Sequence, residues 1–500
     1  MRRLVCLLLG VAVTWVVGQA GPDSVRAADE VKPKALPAIP LSVNEVLAWI
    51  DRTHPLLKGA GTEKISARGK MLKALGAFEP SLVNDTEIER FIPSSGPEES
   101  RSVGFNDTFI EARHPWGFRG IAGIRHVLGG PARIPDLAFN NNNDQFLIGG
   151  YFPLLRGLMV NPENAEMQRS ELADPRAEVK IAQTRQDLFL AAATQFWDWV
   201  AAVKFADVQR RAMTVAEDRY KQVEGRAKAG AVAPLDVVEA GQEVQRRREV
   251  YIAAQRAIEQ EQYRLSMFLW ENHAPSTPPL ERAPDFPPQS ASPTSEIVLA
   301  DKQQAKMDRP EIREIDIEAK INNIDLALAK NNLLPSLDAE AAPARTPEKF
   351  VLGLGYRFGL ELRIPFLQRR SRGEVLEAQA QADRLVLVQK FREQQVVVDV
   401  DNALSAIERA KERVVVAAES LKMAKTLEDG ERFRFSLGAT SVLFVNLRER
   451  NSVDSEIHLV RAKADYQKAL ALYQWARGTW AKALPAAVPV NYRIGAPLSK

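Results

Sequence analysis

The chain has 500 residues, of which 45% are hydrophobic and 26% charged, and its formal net charge is +3. This composition is typical of a globular protein and excludes wholesale disorder. Basic and acidic residues alternate along most helix-favouring stretches, which indicates solvated faces and argues against a nucleic-acid partner.

The N-terminus has the three parts of a secretory signal. Arg2 and Arg3 precede an apolar run at residues 4–17, and Gly18-Gln19-Ala20 follows with a small residue at its end. The pattern predicts a signal peptide at residues 1–20, or to 27 if cleavage follows Ala27. The run is shorter than the roughly 20 residues of a membrane helix. Because no other apolar stretch is longer, a membrane could be spanned only by strands.

The sequence contains a long internal repeat. His54-Pro55 and Pro80-Ser81-Leu82 recur at an offset of 255, as Arg309-Pro310 and Pro335-Ser336-Leu337. Pro153-Leu154-Leu155 recurs at 212 as Pro365-Phe366-Leu367, and Gly230-Ala231 recurs at 208 as Gly438-Ala439. The first copy therefore carries an insertion of about 43 residues between Leu82 and Pro153. Two copies of so long a unit suggest internal pseudo-symmetry, such as a ring or tube.

The repeat also predicts the domain limits. The first repeat spans residues 41–272, and the second spans 296–480. Seven prolines lie in the connector at 273–295, and residues 481–500 form a C-terminal tail. Each repeat holds a helix, then strands at about 80–160 or 335–365, then a long helical hairpin.

Residues 351–364 carry the clearest strand signal, since every even position is apolar. This alternation predicts a membrane-barrel strand with one lipid-facing and one lumen-facing side. An amphipathic strand of a soluble antiparallel sheet is the alternative. The predicted lipid-facing residues are Leu352, Leu354, Tyr356, Phe358, Leu360 and Leu362, and the lumen-facing ones are Gly353, Gly355, Arg357, Gly359, Glu361 and Arg363.

Two long helical hairpins follow the strand regions. Few helix breakers interrupt the chain between Pro153 and Gly230 or between Ser371 and Gly438, although Pro175 should kink or restart the first helix. Glycine ends a helix in the left-handed conformation without steric cost. Gly230 and Gly438 therefore mark the predicted hairpin tips.

The sequence offers no catalytic or metal-binding constellation. Its five histidines are scattered, and its single cysteine, Cys6, lies in the predicted signal. Common hydrolase, metalloprotease and phosphate-loop motifs are missing from the sequence. We therefore predict no enzymatic activity, no cofactor and no metal site.

Several motifs resemble the outer-membrane efflux protein family, the TolC-like channel subunits, over residues 41–480. They are Pro153-Leu154-Leu155-Arg156-Gly157, Arg372-Gly373-Glu374, the segment from Arg432 to Gly438, and Asp465-Tyr466-Gln467. The resemblance implies a mainly α fold with a membrane β part. In such a fold, helical hairpins form an α-barrel tunnel, and four strands per chain join a shared trimeric 12-stranded β-barrel.

The resemblance further implies a passive exit duct in the outer membrane, with a large periplasmic portion. The implied system is a tripartite efflux or type I secretion system that exports drugs, metal ions or proteins. The implied partners are two further copies in a homotrimer, outer-membrane lipid, a periplasmic adaptor and an inner-membrane transporter. A soluble periplasmic coiled-coil adaptor or structural protein is the alternative function.

The hairpin tips are the predicted functional sites. By the resemblance, the adaptor docks at Gly230, Ala231, Gly438 and Ala439. Many relatives place axis-facing aspartates after the second tip, where this chain has Phe444 and Leu447. We therefore predict a mixed polar gate in which Arg448 pairs with Glu449 across or between subunits. The gate candidates are Asp236, Asn446, Arg448 and Glu449.

Overall fold

The computed structural model describes residues 40–91, 101–129, 145–291, 293–344 and 355–481. It divides into two units, Met1–Ile39 and Pro40–Lys500, and the described residues all belong to the second. The predicted signal peptide and nearly all of the predicted tail lie outside the described residues.

The first repeat contains five helices and four strands among the described residues. They are α1 (Val43–Thr53), α2 (Pro55–Leu75), β1 (Ser81–Phe91), β2 (Arg101–Arg113), β3 (Arg119–Gly129), β4 (Gln145–Pro153), α3 (Pro162–Glu171), α4 (Ala173–Lys228) and α5 (Pro234–Ser266). The connector adds a small hairpin of β5 (Trp270–Glu271) and β6 (Ala274–Pro275).

The second repeat has the same order with fewer strands. Its described elements are α6 (Ser295–Asp308), α7 (Pro310–Asn331), β7 (Ser336–Ala344), β8 (Gly355–Arg363), α8 (Arg369–Ser436) and α9 (Val442–Ala476). The repeat seen in the sequence thus pairs α1 and α2 with α6 and α7, and it pairs β1 with β7.

Local sequence explains where the helices begin. Pro55 and Pro310 open α2 and α7 at the first turn, where a missing N–H costs nothing. The Asn161 side chain caps α3 by accepting a hydrogen bond from Asn164 N at 2.8 Å. The break between α3 and α4 falls at Leu172, just before Pro175, so the first long helix restarts there.

The long helices form a layer in the order α5, α4, α9, α8. Helix α8 has 68 residues and is therefore about 100 Å long. Val396, Val400, Ala403 and Ile407 of α8 are buried in one core with residues of α9, α6 and α7. A second core around Phe196 and Trp199 of α4 joins α1 to the layer. Helices α5 and α8 are the two edges.

The strands form one antiparallel six-stranded sheet in the order β1-β2-β3-β4-β7-β8. The prediction of four strands per chain is therefore wrong in number. The reason is the insertion detected as a change in repeat offset, because β2 and β3 form an extra hairpin between β1 and β4. Strands β1 and β8 are the two edges of this sheet.

Candidate functional site

One face of the six-stranded sheet is apolar. Residues directly opposite one another share a face, so the register sorts the side chains of all six strands. Every exposed large apolar side chain described in these strands lies on this apolar face. They are Leu82, Ile88, Ile110, Ile124, Ile148, Phe152, Phe358, Leu360 and Leu362.

The opposite face carries the charges. All the Asp, Glu and Arg side chains described in the six strands lie on it: Asp85, Glu87, Asp107, Glu111, Arg113, Arg119, Asp338, Glu340, Glu361 and Arg363. Arg119 lies 3.8 Å from Glu111, and Arg363 lies 2.5 Å from Glu361. The one titratable side chain described on the apolar face is His126. The sheet is therefore amphipathic across its whole width.

The strand predicted at residues 351–364 is only partly described. Phe358, Leu360 and Leu362 lie on the apolar face, and Gly359, Glu361 and Arg363 lie on the charged face. Gly355, Tyr356 and Arg357 lie within β8 by backbone register. Leu352, Gly353 and Leu354 lie outside the described residues.

The hairpin tips are tight glycine turns. Gly230 has φ 72° and Gly438 has φ 73°, the left-handed region that glycine adopts without strain. Ala231 N donates to Arg226 O, and Ala439 N donates to Arg434 O, which closes each helix end. Large apolar side chains surround the tips and are exposed: Leu235, Val238, Phe433, Leu437, Leu443, Phe444 and Leu447.

A buried ionic cluster lies between the hairpins near these tips. Glu449 of α9 is only 5% exposed. It accepts hydrogen bonds from Arg219 of α4 and from Arg432 of α8, the latter at 2.8 Å. Burial lowers the pKa of Arg219, while the charge of Glu449 opposes that shift. One carboxylate thus joins three helices.

The first hairpin has a matching cluster. Glu243 of α5 is 3% exposed and lies between two arginines, Arg247 on its own helix at 2.8 Å and Arg450 of α9. Burial alone would raise the pKa of Glu243. The hydrogen bond from Arg450 and the charge of Arg247 outweigh burial and hold that pKa below its usual value.

The gate candidates occupy different environments. Asp236 accepts a hydrogen bond from Ala233 N at 3.1 Å and so caps α5. Asn446 is buried, and its amide nitrogen has no hydrogen-bond partner among the described residues. Arg448 is half-buried and has no ion-pair partner in the described part of the chain. Within the subunit, Glu449 pairs with Arg219 and Arg432 rather than with Arg448, because its side chain points into the helix layer.

Sequence reasoning missed Arg219, Glu243, Arg247, Arg432 and Arg450. A charged residue on a long helix usually belongs to an exposed i,i+4 pair, and these residues show the same spacing as such pairs. The packing of α9 against α4 and α8 forms the Glu449 cluster, and the packing of α9 against α5 adds Arg450 to the Glu243–Arg247 pair.

The described residues contain neither a metal site nor a helix that could span a membrane. No group of three or more histidine, cysteine, aspartate or glutamate side chains is arranged to hold a metal ion there. None of the helices described in the structure has an apolar stretch long enough to cross a membrane.

Comparison with known proteins gives structural matches only. No protein-family model and no curated protein matches the chain. The Campylobacter jejuni CmeC outer membrane channel matches with a TM-score of 0.64 and 13% identity, over 87% of this chain and 85% of that one. The Vibrio cholerae outer membrane protein VceC matches with a TM-score of 0.62 and 12% identity, over 87% and 96%.

The open-state Neisseria gonorrhoeae MtrE outer membrane channel matches with a TM-score of 0.59 and 16% identity, over 93% of this chain and 98% of that one. The chain therefore has the fold of the TolC-like outer-membrane channels over 87–93% of its length. The predicted fold class, long helical hairpins joined to a strand region, is confirmed.

Proposed function

We propose that this chain is an outer-membrane channel subunit, the passive exit duct of a tripartite efflux or type I secretion system. The observation that carries the proposal is the amphipathic sheet, whose strands β4 and β8 lead into the long helical hairpins, and α8 alone is about 100 Å long. A lipid-exposed barrel requires apolar side chains outside and tolerates charges only inside. The two faces of this sheet are sorted in that way.

The free edges support assembly from several copies. Six strands are too few to close a membrane barrel, for which about eight are needed. Unpaired strand edges are not tolerated in lipid, so β1 and β8 need partners. The edge helices also expose apolar side chains, such as Leu387, Phe391 and Val398 of α8 and Ile252 of α5. Further copies of the chain would cover both edges, and three copies form the homotrimer that the resemblance implies.

The tips fit the role of a docking surface. They lie at the far ends of the hairpins from the sheet, and their exposed leucines and phenylalanines are unusual for a solvated helix end. We propose that a periplasmic adaptor binds at Gly230, Ala231, Gly438 and Ala439 and links the duct to an inner-membrane transporter. Such a duct carries out no chemistry on its cargo.

We also propose that Asp236, Asn446 and Arg448 narrow the duct near the tips. Arg448 supports this proposal, because it is a charged side chain without an ionic partner within the described subunit. Single-channel conductance in planar bilayers is the test. An Arg448→Ala variant should conduct more than the wild-type protein, and equal conductance would remove Arg448 from the gate.

A soluble coiled-coil adaptor is the competing function. Such an adaptor would also contain helical hairpins, but its role does not require nine exposed apolar side chains on one face of a sheet. Expression of the full chain followed by membrane fractionation separates the two functions. We expect detergent-requiring, heat-modifiable trimers in the outer-membrane fraction. A soluble monomer in the periplasmic fraction would reject the channel.

A further inference from the structure

We infer that the inserted hairpin β2–β3 is part of the barrel wall, so that each copy contributes six strands. The inference rests on the proposed function. Three copies would then build an eighteen-stranded barrel rather than the twelve-stranded one implied by the family resemblance. The exit would be correspondingly wider.

The repeat locates the extra strands. Strand β1 begins at Ser81 and β7 at Ser336, the offset of 255 that relates the two repeats. Strand β4 ends at Pro153, and Pro365 follows β8 at the later offset of 212. In the second repeat β8, the equivalent of β4, pairs directly with β7, the equivalent of β1. In the first repeat β2 and β3 separate that pair.

The hairpin is a continuous part of the sheet. Strand β2 pairs with β1 from Arg101 to Glu111 and with β3 from Val103 to Arg113. Strand β3 pairs with β4 from Arg119 to Arg125. The strands of the sheet have 9 to 13 residues, close to the roughly 9–11 of a tilted membrane strand. The apolar face also continues through Ile110 and Ile124.

The turn of the hairpin is anchored to the segment after β4. Met159 N donates to Trp116 O at 3.1 Å, and Asn161 Nδ2 donates to Pro115 O at 2.8 Å. Gly117 has φ 89°, and a Cβ there would lie 2.4 Å from Gly157 O. Only glycine fits so close a backbone approach. The hairpin is therefore anchored at its helical end.

A polar patch on the apolar face satisfies its own hydrogen bonds. Asn84 Nδ2 donates to Thr108 Oγ1 and Asn106 Oδ1, and Asn106 Nδ2 donates to Thr86 Oγ1 and Asn84 Oδ1. Both side-chain amides thus use both of their N–H groups. Polar groups in lipid must be satisfied internally. The patch also ties β1 to β2, which is how an inserted strand would be held in the wall.

The strand directions allow closure. Six consecutive antiparallel strands place β1 and β8 in opposite directions, so β8 of one copy can pair antiparallel with β1 of the next. Adjacent strands lie about 4.8 Å apart, so two extra strands widen each copy's share of the wall by about 10 Å. Barrel diameter grows roughly linearly with strand number, so eighteen strands give about 1.5 times the width of twelve.

The wider wall points to cargo of larger cross-section. Barrels of about 16–18 strands leave an open aqueous channel, whereas about eight strands are filled by side chains.

Spin labels on single cysteines test the position of the hairpin. In a Cys6→Ser background, labels at Ile110, Ile124 and Ile121 report on the two faces of β2 and β3. Leu360→Cys and Glu340→Cys serve as matched controls on the apolar and charged faces of strands shared by both repeats. The trimer in lipid vesicles is probed with oxygen, which partitions into lipid, and with a water-soluble nickel chelate.

We expect Ile110→Cys and Ile124→Cys to match Leu360→Cys in oxygen accessibility. We expect Ile121→Cys to match Glu340→Cys in nickel accessibility. Nickel accessibility at the first two positions, with Leu360→Cys still in lipid, would place the hairpin outside the wall and overturn the inference. Nickel accessibility at Leu360→Cys as well would instead reject the membrane channel itself.

A deletion provides a second measurement. Replacing residues 92–144 with a short turn joins β1 directly to β4 and leaves four strands per copy. The barrel of the purified trimer, measured by electron microscopy, should be narrower by about one third. An unchanged barrel width would contradict the inference, and if the deleted chain fails to assemble, the spin-label result decides.

Discussion

The two repeats of the chain differ in their strands far more than in their helical hairpins. The first repeat has four strands of the sheet, and the second has two. By contrast, the returning helices α5 and α9 have 33 and 35 residues. The outgoing helices differ mainly by the interruption at Leu172, which precedes Pro175 in the first repeat.

The difference shows which changes each region tolerates. The hairpins pack side by side, and Val223, Ala240 and Val442 form a shared core close to both tips. A longer hairpin in one repeat would move its tip away from this core and from the buried glutamates. A pair of strands inserted in the sheet returns the chain to the end of the sheet where the insertion began. The helices that follow therefore keep their positions.

The largest expected effect concerns the buried glutamates that hold the hairpins together. Glu449→Ala would leave Arg219 buried without its partner, and Glu243→Ala would do the same to Arg247. Breaking a buried ion pair in this way costs about 3–5 kcal/mol. We expect both variants to lower the free energy of unfolding by this amount, as measured by urea unfolding monitored by circular dichroism.

Glu456→Ala is the matched control on the same helix as Glu449. Glu456 pairs with Arg211 across the same α4–α9 contact, but the arginine is largely exposed. Exposed pairs are worth about 0–1 kcal/mol. Equal losses for Glu449→Ala and Glu456→Ala would show that the buried clusters do not join the two repeats.

The next largest effect compares the apolar faces of the two repeats. Ile110→Arg in the first repeat and Leu360→Arg in the second should each cost about 2–4 kcal/mol near the bilayer centre. Both variants should therefore reduce trimer yield in membranes. Gly359→Ser, on the opposite face of β8, has room for its side chain and should assemble normally. Normal assembly of Ile110→Arg alone would mean that only the second repeat faces lipid.

Much of this architecture could be predicted from the sequence because local rules govern it. Gly230, Gly438 and Pro175 constrain the backbone directly, so the sequence alone shows where these helices end or break. The alternation around Leu360 is equally clear. Strands β2 and β3 give weaker signals, since Asn106, Thr108 and His126 interrupt the apolar side of their alternation. The extra length is visible in the repeat offset, but its fold as a hairpin is not.

The ionic clusters could not be predicted for a different reason. Glu449 and Arg219 are 230 residues apart, and nothing local distinguishes them from solvated charges. Their burial depends on which helices become neighbours, which is a property of the whole layer. Within the chain Glu449 pairs with Arg219 and Arg432, and the pairing of Arg448 with Glu449 across or between subunits stays a prediction.

A smaller effect tests whether the two tips are equivalent. Gly230 and Gly438 both have open space where a Cβ would lie, but their backbone is left-handed. Gly230→Ala and Gly438→Ala should each cost about 1–2 kcal/mol, the penalty of that conformation for an ordinary residue. Asn tolerates the conformation better, so Gly438→Asn should cost less. Urea unfolding measures both, and unequal costs at the two tips would show that the repeats differ there too.

The smallest expected effect is a pH dependence caused by Glu243 and its two arginines. The arginines hold the pKa of Glu243 below its ordinary value of 4.5. The unfolded chain therefore binds a proton at this group more readily than the folded chain does, so stability falls as the pH falls. The contribution of Glu243 is fully present above pH 4.5 and is lost as the pH drops through the folded pKa. Urea midpoints measured from neutral pH downward should decline more steeply for the wild-type protein than for Glu243→Gln, which has no proton to bind. Parallel declines would mean that other carboxylates cause the acid sensitivity and that the Arg247–Glu243–Arg450 cluster contributes no measurable part of it.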